Sequence, residues 1–137
     1  MKPLKIEATR ETPEIILDPD NGLFHIKGVS HPENIKVFFA PILQWLDDYF
    51  EELKKDLGKQ ITIKFYYKYI NSSSLKHLYD LLQKFTTWRD AGVNVDIEWN
   101  YADDDEDMME AGEELSELKG VNLPFRYLAY TEDHDLD

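Results

Sequence analysis

The chain contains no cysteine, which excludes disulfides, thiolate nucleophiles and cysteine-ligated metal sites. Basic side chains are scarce: 15 lysines and arginines stand against 28 aspartates and glutamates, for a formal charge of −13. Nucleic acid and anionic membrane surfaces both require a basic footprint, so neither is an expected partner. A protein with a basic face is. No apolar run approaches the roughly 20 residues of a spanning helix, and Met1-Lys2-Pro3-Leu4-Lys5-Ile6-Glu7 lacks the apolar core of a signal peptide. The expectation is a soluble, cytoplasmic protein. Glycines are few and fall mostly at turn positions. There is no Gly-rich loop to cradle nucleotide phosphates and no Gly-x-Ser-x-Gly elbow. His25, His31, His77 and His134 show no paired metal-ligand spacing. No cofactor, no metal and no catalytic constellation is expected.

What is present suffices for a folded domain. With 137 residues, 42% of them hydrophobic and 13% aromatic, the chain can bury a sizeable core. One domain is expected over residues 1–131, followed by a frayed acidic tail over 132–137. Glu14–Asp18 and Leu23–Val29 flank the turn signal Asp20-Asn21-Gly22 and read as a hairpin, with Phe24 and Ile26 facing inward. Ile6–Thr9 adds a candidate edge strand. Ser30-His31-Pro32-Glu33 resembles a capping box, opening a helix with the stripe Ile35, Phe38, Phe39, Ile42, Leu46, Tyr49, Phe50, Leu53 and Leu57. Pro41 is expected to kink or interrupt it near Val37–Ala40, and Gly58 to end it.

The organising stretch is Tyr69-Ile70-Asn71-Ser72-Ser73-Ser74-Leu75-Lys76. Before it, Ile61, Ile63, Phe65, Tyr67 and Tyr69 alternate with polar residues, a strand period. After it, Leu75, Leu78, Leu82 and Phe85 recur at helical spacing to about Arg89. The serines therefore sit where a strand hands over to a helix. A hydroxyl there accepts from free backbone N–H groups as a cap, and the same donors and dipole favour an anion. Helix cap and phosphate site are both open readings.

Val93, Val95, Ile97 and Trp99 alternate beyond Gly92 and form a second, parallel strand through a crossover connection. Lys64 and Lys68 on one strand and Asp96 and Glu98 on the other mark a wet sheet face held by cross-strand charge pairs. The architecture expected is a two-layer α/β domain: a mixed sheet of four to six strands, helices on one face, the other face largely solvent-exposed. Asp103–Lys119 reads as a third helix with Met108, Ala111, Leu115 and Leu118 on its stripe, and Phe125–Tyr130 as a last strand. Asp103, Asp105, Asp107 and Glu114 match four positions of a calcium loop, but Met108 occupies the position that needs glycine. The nine acids between Asp103 and Glu117 read as a solvated helix face or as a docking surface for a basic partner. Tyr66, Tyr67, Tyr69, Trp99 and Tyr101 gather near the strand carboxyl ends. They read as sheet packing, or as a cleft for a small ligand or an enzyme substrate.

Several stretches in order resemble the SiaC family of bacterial regulatory phosphoproteins. They are Ala8-Thr9 with Thr12-Pro13-Glu14-Ile15, Gly28-Val29-Ser30-His31-Pro32-Glu33-Asn34, Pro41 and Trp45, and Tyr69-Ile70-Asn71-Ser72-Ser73-Ser74. Trp99-Asn100-Tyr101, Asp104-Asp105-Glu106-Asp107-Met108, Glu110, Gly112-Glu113 and Pro124-Phe125 complete the set. The resemblance implies a domain similar to STAS domains and a partner-switching role without enzymatic activity. A kinase and a PP2C-type phosphatase would act on a hydroxyl matching Ser72, where the family's usual residue is threonine. The unphosphorylated form would bind and activate a diguanylate cyclase in biofilm signalling. Asn71, Ser73 and Ser74 would shape the corner, Tyr69, Lys76 and Tyr79 would line the docking surface, and Lys76 and His77 would help hold the phosphate.

Overall fold

The computed structural model describes residues 1–131, so the expected tail over 132–137 lies outside the described residues. The elements in chain order are β1 (Leu4–Ile6), β2 (Glu14–Asp18), β3 (Leu23–Ser30), α1 (Ile35–Leu53), β4 (Gln60–Ile70), α2 (Ser72–Asp90), β5 (Asn94–Ala102), α3 (Glu106–Glu117) and β6 (Phe125–Tyr130). All six strands form one sheet in sequence order, antiparallel from β1 to β3 and parallel from β3 to β6. The mixed, two-layer α/β expectation holds, at the upper end of its strand count.

Alternation decides which sheet face is dry. Phe24 and Ile26 of β3, Ile61, Ile63, Phe65 and Tyr67 of β4, and Val95, Ile97 and Trp99 of β5 are all buried. The three helices cover that face: Tyr49 of α1 stacks on Phe24, and α1 meets α2 through Tyr49 against Trp88. Trp99 reaches α3, its Nε1 donating to the Met108 carbonyl at 2.9 Å. The opposite face carries Thr62, Asp96, Glu98 and Arg126. Its charge pairing differs from expectation. Lys64 does lie opposite Glu98 in the register, but the cation that engages Asp96 and Glu98 is Arg126 of β6, at 3.6 and 3.4 Å.

Several boundaries move for physical reasons. The edge strand is Leu4–Ile6 rather than Ile6–Thr9; Thr9 instead makes a local turn, its hydroxyl accepting from the Glu11 and Thr12 amides. Ser30 is not a helix cap. It ends β3 as a buried residue, and α1 is capped by Asn34, whose side chain accepts from the Val37 amide. Pro41 does not interrupt α1, which runs unbroken to Leu53. Pro41 and Val37 are both exposed, so water can satisfy the carbonyl that the missing N–H leaves unbonded. The helix stops before Gly58, leaving Leu57 outside it and exposed. On α3, Asp103 and Asp104 precede the helix, whose cap is Asp105 accepting from the Met108 amide, and Leu118 falls just past its end.

One irregularity shapes the region that follows. The β3–β4 register pairs Gly28 with Tyr67 but Val29 with Tyr69, so Lys68 is an extra residue on β4. An extra residue reverses the facing of everything after it. Tyr69, fifth in the buried-looking alternation, is 52% exposed instead, and Ile70 packs against the core.

Candidate functional site

The β4–α2 corner is built from Asn71. Its side chain accepts from the Ser74 amide at 2.9 Å, and its carbonyl accepts from the Leu75 amide. Asn71, not a serine, is therefore the N-cap, and Ser72, Ser73 and Ser74 form the first turn of α2. With the Ser74 amide taken, the Ser72 and Ser73 amides are the first free donors of a 19-residue helix, at the positive end of its dipole.

The three serines have different fates. Ser72 and Ser73 are exposed. Ser74 is 1% exposed: the Ser30 hydroxyl donates to its Oγ at 2.8 Å, and its own hydroxyl donates to the Ser30 carbonyl at 3.1 Å. That carbonyl also receives the Asn71 amide at 3.0 Å. Ser74 thus cannot present a hydroxyl to a partner in this fold; it ties α2 to the end of β3. Ser30 is the structural neighbour that the sequence does not reveal, since it lies 44 residues away and its pattern reads as a cap.

Around Ser72 the flanking residues divide. Tyr69 is exposed and meets the His31 ring edge-on at 5.7 Å. Lys76 is exposed one turn along α2. His77 does not join them: its Nδ1 pairs with the Ser73 carbonyl at 3.1 Å and its ring stacks on Phe39 of α1. Tyr79 spans toward α3, its hydroxyl donating to the Lys119 carbonyl.

Two adjoining recesses open between α2 and α3. One, of about 350 Å³, is lined by Lys68, Tyr69, Ile70, Leu75, Asp105, Asp107, Met108 and Ala111. The other, of about 270 Å³, is lined by Leu75, Lys76, Tyr79, Ala111, Glu114, Leu115 and Leu118. They share Leu75 and Ala111. Tyr69, Lys76 and Tyr79, picked from sequence as partner-facing, all line this trough.

The five aromatics do not line a common cleft. Tyr67 and Trp99 are buried on the helix-covered face, with ring centroids 6.0 Å apart, and burial pushes the Tyr67 phenol far above its ordinary value of 10.0. Tyr66 lies on the opposite face, where Lys27 sits over its ring. Tyr101 is partly buried against the core. The expected aromatic site for a small ligand is thus divided by the sheet itself. Among the described residues no group of three or more His, Asp or Glu could hold a metal ion, and no helix is long and apolar enough to cross a membrane.

An exposed hydroxyl at the head of a helix, beside an apolar trough and on an α/β sheet covered by helices on one face, is the geometry of a small regulatory domain. The chain belongs to the SiaC family of regulatory phosphoproteins, whose family model matches residues 6–130. It is 28% identical over 132 residues to an uncharacterised protein of Pseudomonas aeruginosa (strain UCBPP-PA14), covering 96% of this chain and all of that one. The fold is similar to apo-SiaC from Pseudomonas aeruginosa, with a TM-score of 0.81 and 27% identity over 94% of this chain and all of that one. It is similar as well to Pseudomonas aeruginosa SiaC crystallised in complex with the diguanylate cyclase SiaD, of which SiaC is the activator. There the TM-score is 0.83 and the identity 27%, over 93% of this chain and 99% of that one.

Proposed function

We propose that this protein is a non-enzymatic switch whose state is the charge on Ser72, and that its unphosphorylated form binds and activates a diguanylate cyclase. A kinase adds the phosphate and a PP2C-type phosphatase removes it. The observation that carries the reading is the exposed Ser72 hydroxyl at the first position of α2, in a chain of a family of regulatory phosphoproteins. The relative in complex with a cyclase supports the choice of partner.

The physics of the switch is local. A phosphate brings about −1.5 to −2 charges and three acceptor oxygens. The free Ser72 and Ser73 amides and the helix dipole stabilise it where it forms, with Lys76 one turn away to offset its charge. No refolding is required, because Asn71, Ser74 and Ser30 hold the corner whether or not Ser72 is modified. The phosphate acts through bulk and hydration: a partner surface that must dry Ser72 cannot dry a dianion. A coupling of about 3 kcal/mol lowers affinity about 100-fold.

Intact-mass measurement of the protein purified from its own host is expected to show a fraction heavier by one phosphate, absent from Ser72→Ala. Binding of the cyclase encoded in the same genome is expected to survive Ser72→Ala and to fall about 100-fold in Ser72→Asp. Phosphate on another residue, or equal cyclase affinity for Ser72→Asp and the unmodified chain, would rule the switch out.

A further inference from the structure

We infer that Asn21 is a site of spontaneous deamidation whose product loosens the β2–β3 hairpin, so that the turn works as a slow one-way chemical switch. Of the six asparagines in the chain, only Asn21 is followed by glycine. The reaction needs the next residue's amide nitrogen to reach the asparagine Cγ, and a side chain on that residue obstructs the approach. Gly22 has none, and its surroundings are open: a Cβ built there would meet nothing within 4 Å. Both residues are exposed, so water reaches the reacting atoms. The Gly22 nitrogen loses its proton and bonds to Cγ, and Nδ2 leaves as ammonia, taking up one proton. Water then opens the succinimide ring. Addition at Cγ gives aspartate; addition at the backbone carbonyl gives isoaspartate, in which the chain runs through the side chain. Water is the only co-reactant.

The fold both restrains this reaction and suffers from it. Asn21 Nδ2 donates to Asp18 Oδ2 at 2.7 Å, and the Gly22 amide donates to the Pro19 carbonyl at 3.1 Å. Both bonds must break before the nitrogen can attack, so conversion proceeds from a locally opened turn. Once converted, residue 21 presents a carboxylate where an amide had donated. Asp18 is 5% exposed, and a second anion against so poorly solvated a carboxylate repels it. Lys5 Nζ, 4.0 Å from the same Oδ2, then serves two anions in place of one. Isoaspartate also lengthens the backbone between Asp18 and Leu23, which pair across the hairpin. The disturbance falls on β2 and β3, whose Ile15, Leu17 and Phe24 lie in the core. The turn joins β3 at the end opposite Ser30, so this site is remote from the Ser72 corner and its fate is independent of the switch proposed there.

The test is to age the full chain at neutral pH, in buffer and in urea, and to follow each asparagine by peptide mass mapping, with isoaspartate detected by enzymatic methylation. Conversion is expected first at Asn21 in both, and at least about 10-fold slower in buffer because the turn must open. Asp18→Ala, which releases Nδ2, is expected to raise the rate in buffer several-fold. Asp18→Asn keeps an acceptor for Nδ2 and is expected to hold the rate low. Asn21→Asp is expected to lower the thermal midpoint below that of Asn21→Ala, which loses the hydrogen bond without gaining a charge. Conversion first at Asn71 or another asparagine, equal rates in buffer and urea, or a rate indifferent to Asp18→Ala would overturn the inference. So would an Asn21→Asp midpoint at or above that of Asn21→Ala.

Discussion

Ser30 and Ser74 hold the corner by a reciprocal pair of hydrogen bonds in a site closed to water. The Ser74 hydroxyl accepts from the Ser30 hydroxyl and donates to the Ser30 carbonyl, so truncating Ser74 strands a buried donor on Ser30. Ser74→Ala leaves the Ser30 hydroxyl without its acceptor and is expected to cost about 1–3 kcal/mol, read as a lower midpoint in urea denaturation at unchanged slope. Ser73→Ala, one residue away and exposed, is expected to leave the midpoint where it is. The adjacent Ser72 is free of this duty, so the phosphate proposed there would leave the fold intact. Three identical side chains in a row thus divide into an exposed hydroxyl, an exposed neighbour and an interior tie.

Among the elements, α3 is placed by one tryptophan. The Trp99 indole donates to the Met108 carbonyl, an acceptor four residues before Gly112, and its ring occupies the space where a Gly112 side chain would be. A Cβ built on Gly112 would lie 2.6 Å from two indole atoms. Alanine ordinarily gains about 1 kcal/mol over glycine inside a helix, but Trp99 is fully buried and anchored and cannot swing aside. Overpacking of about 1–3 kcal/mol is expected to outweigh the propensity gain. Gly112→Ala should therefore lower the thermal midpoint and alter tryptophan fluorescence, whereas Glu113→Ala next to it should not. Because α3 forms one wall of the trough, the same substitution is expected to shift that wall. Helix α1 shows the opposite balance: Pro41 is tolerated inside it because the defect faces water.

For the molecule as a whole, the buried phenols set its alkaline limit. Tyr67 is raised far above 10.0 by burial, and Tyr49 is raised first by burial and then by the Asp20 carboxylate. A raised folded value means that the folded state keeps a proton the unfolded chain gives up. Stability from this source is therefore whole below pH 10 and falls as pH climbs beyond it. The thermal midpoint is expected to be flat in this respect to about pH 10 and to drop above it, with a shallower drop in Tyr67→Phe. A midpoint with the same alkaline slope in Tyr67→Phe would remove Tyr67 from the account. The charge of −13 bears on association more than on the fold, since a net negative surface favours encounter with surfaces of opposite sign.

Periodicity alone determined the hairpin at Asp20-Asn21-Gly22, the helix after the serines, the parallel β4–β5 pair and the one-sided sheet, because each rests on which residues must leave water. Composition alone indicated a protein partner over nucleic acid, and the combined motifs indicated the family. Three-dimensional packing decided the rest. It chose Asn71 as the cap, sent Ser74 inside to meet Ser30, turned Tyr69 outward through one extra residue in β4, and split the aromatics across the sheet. A local pattern encodes which face of its own element is apolar. It does not encode the register between strands or the hydroxyl waiting 44 residues away, and those are what make one serine of three the buried one.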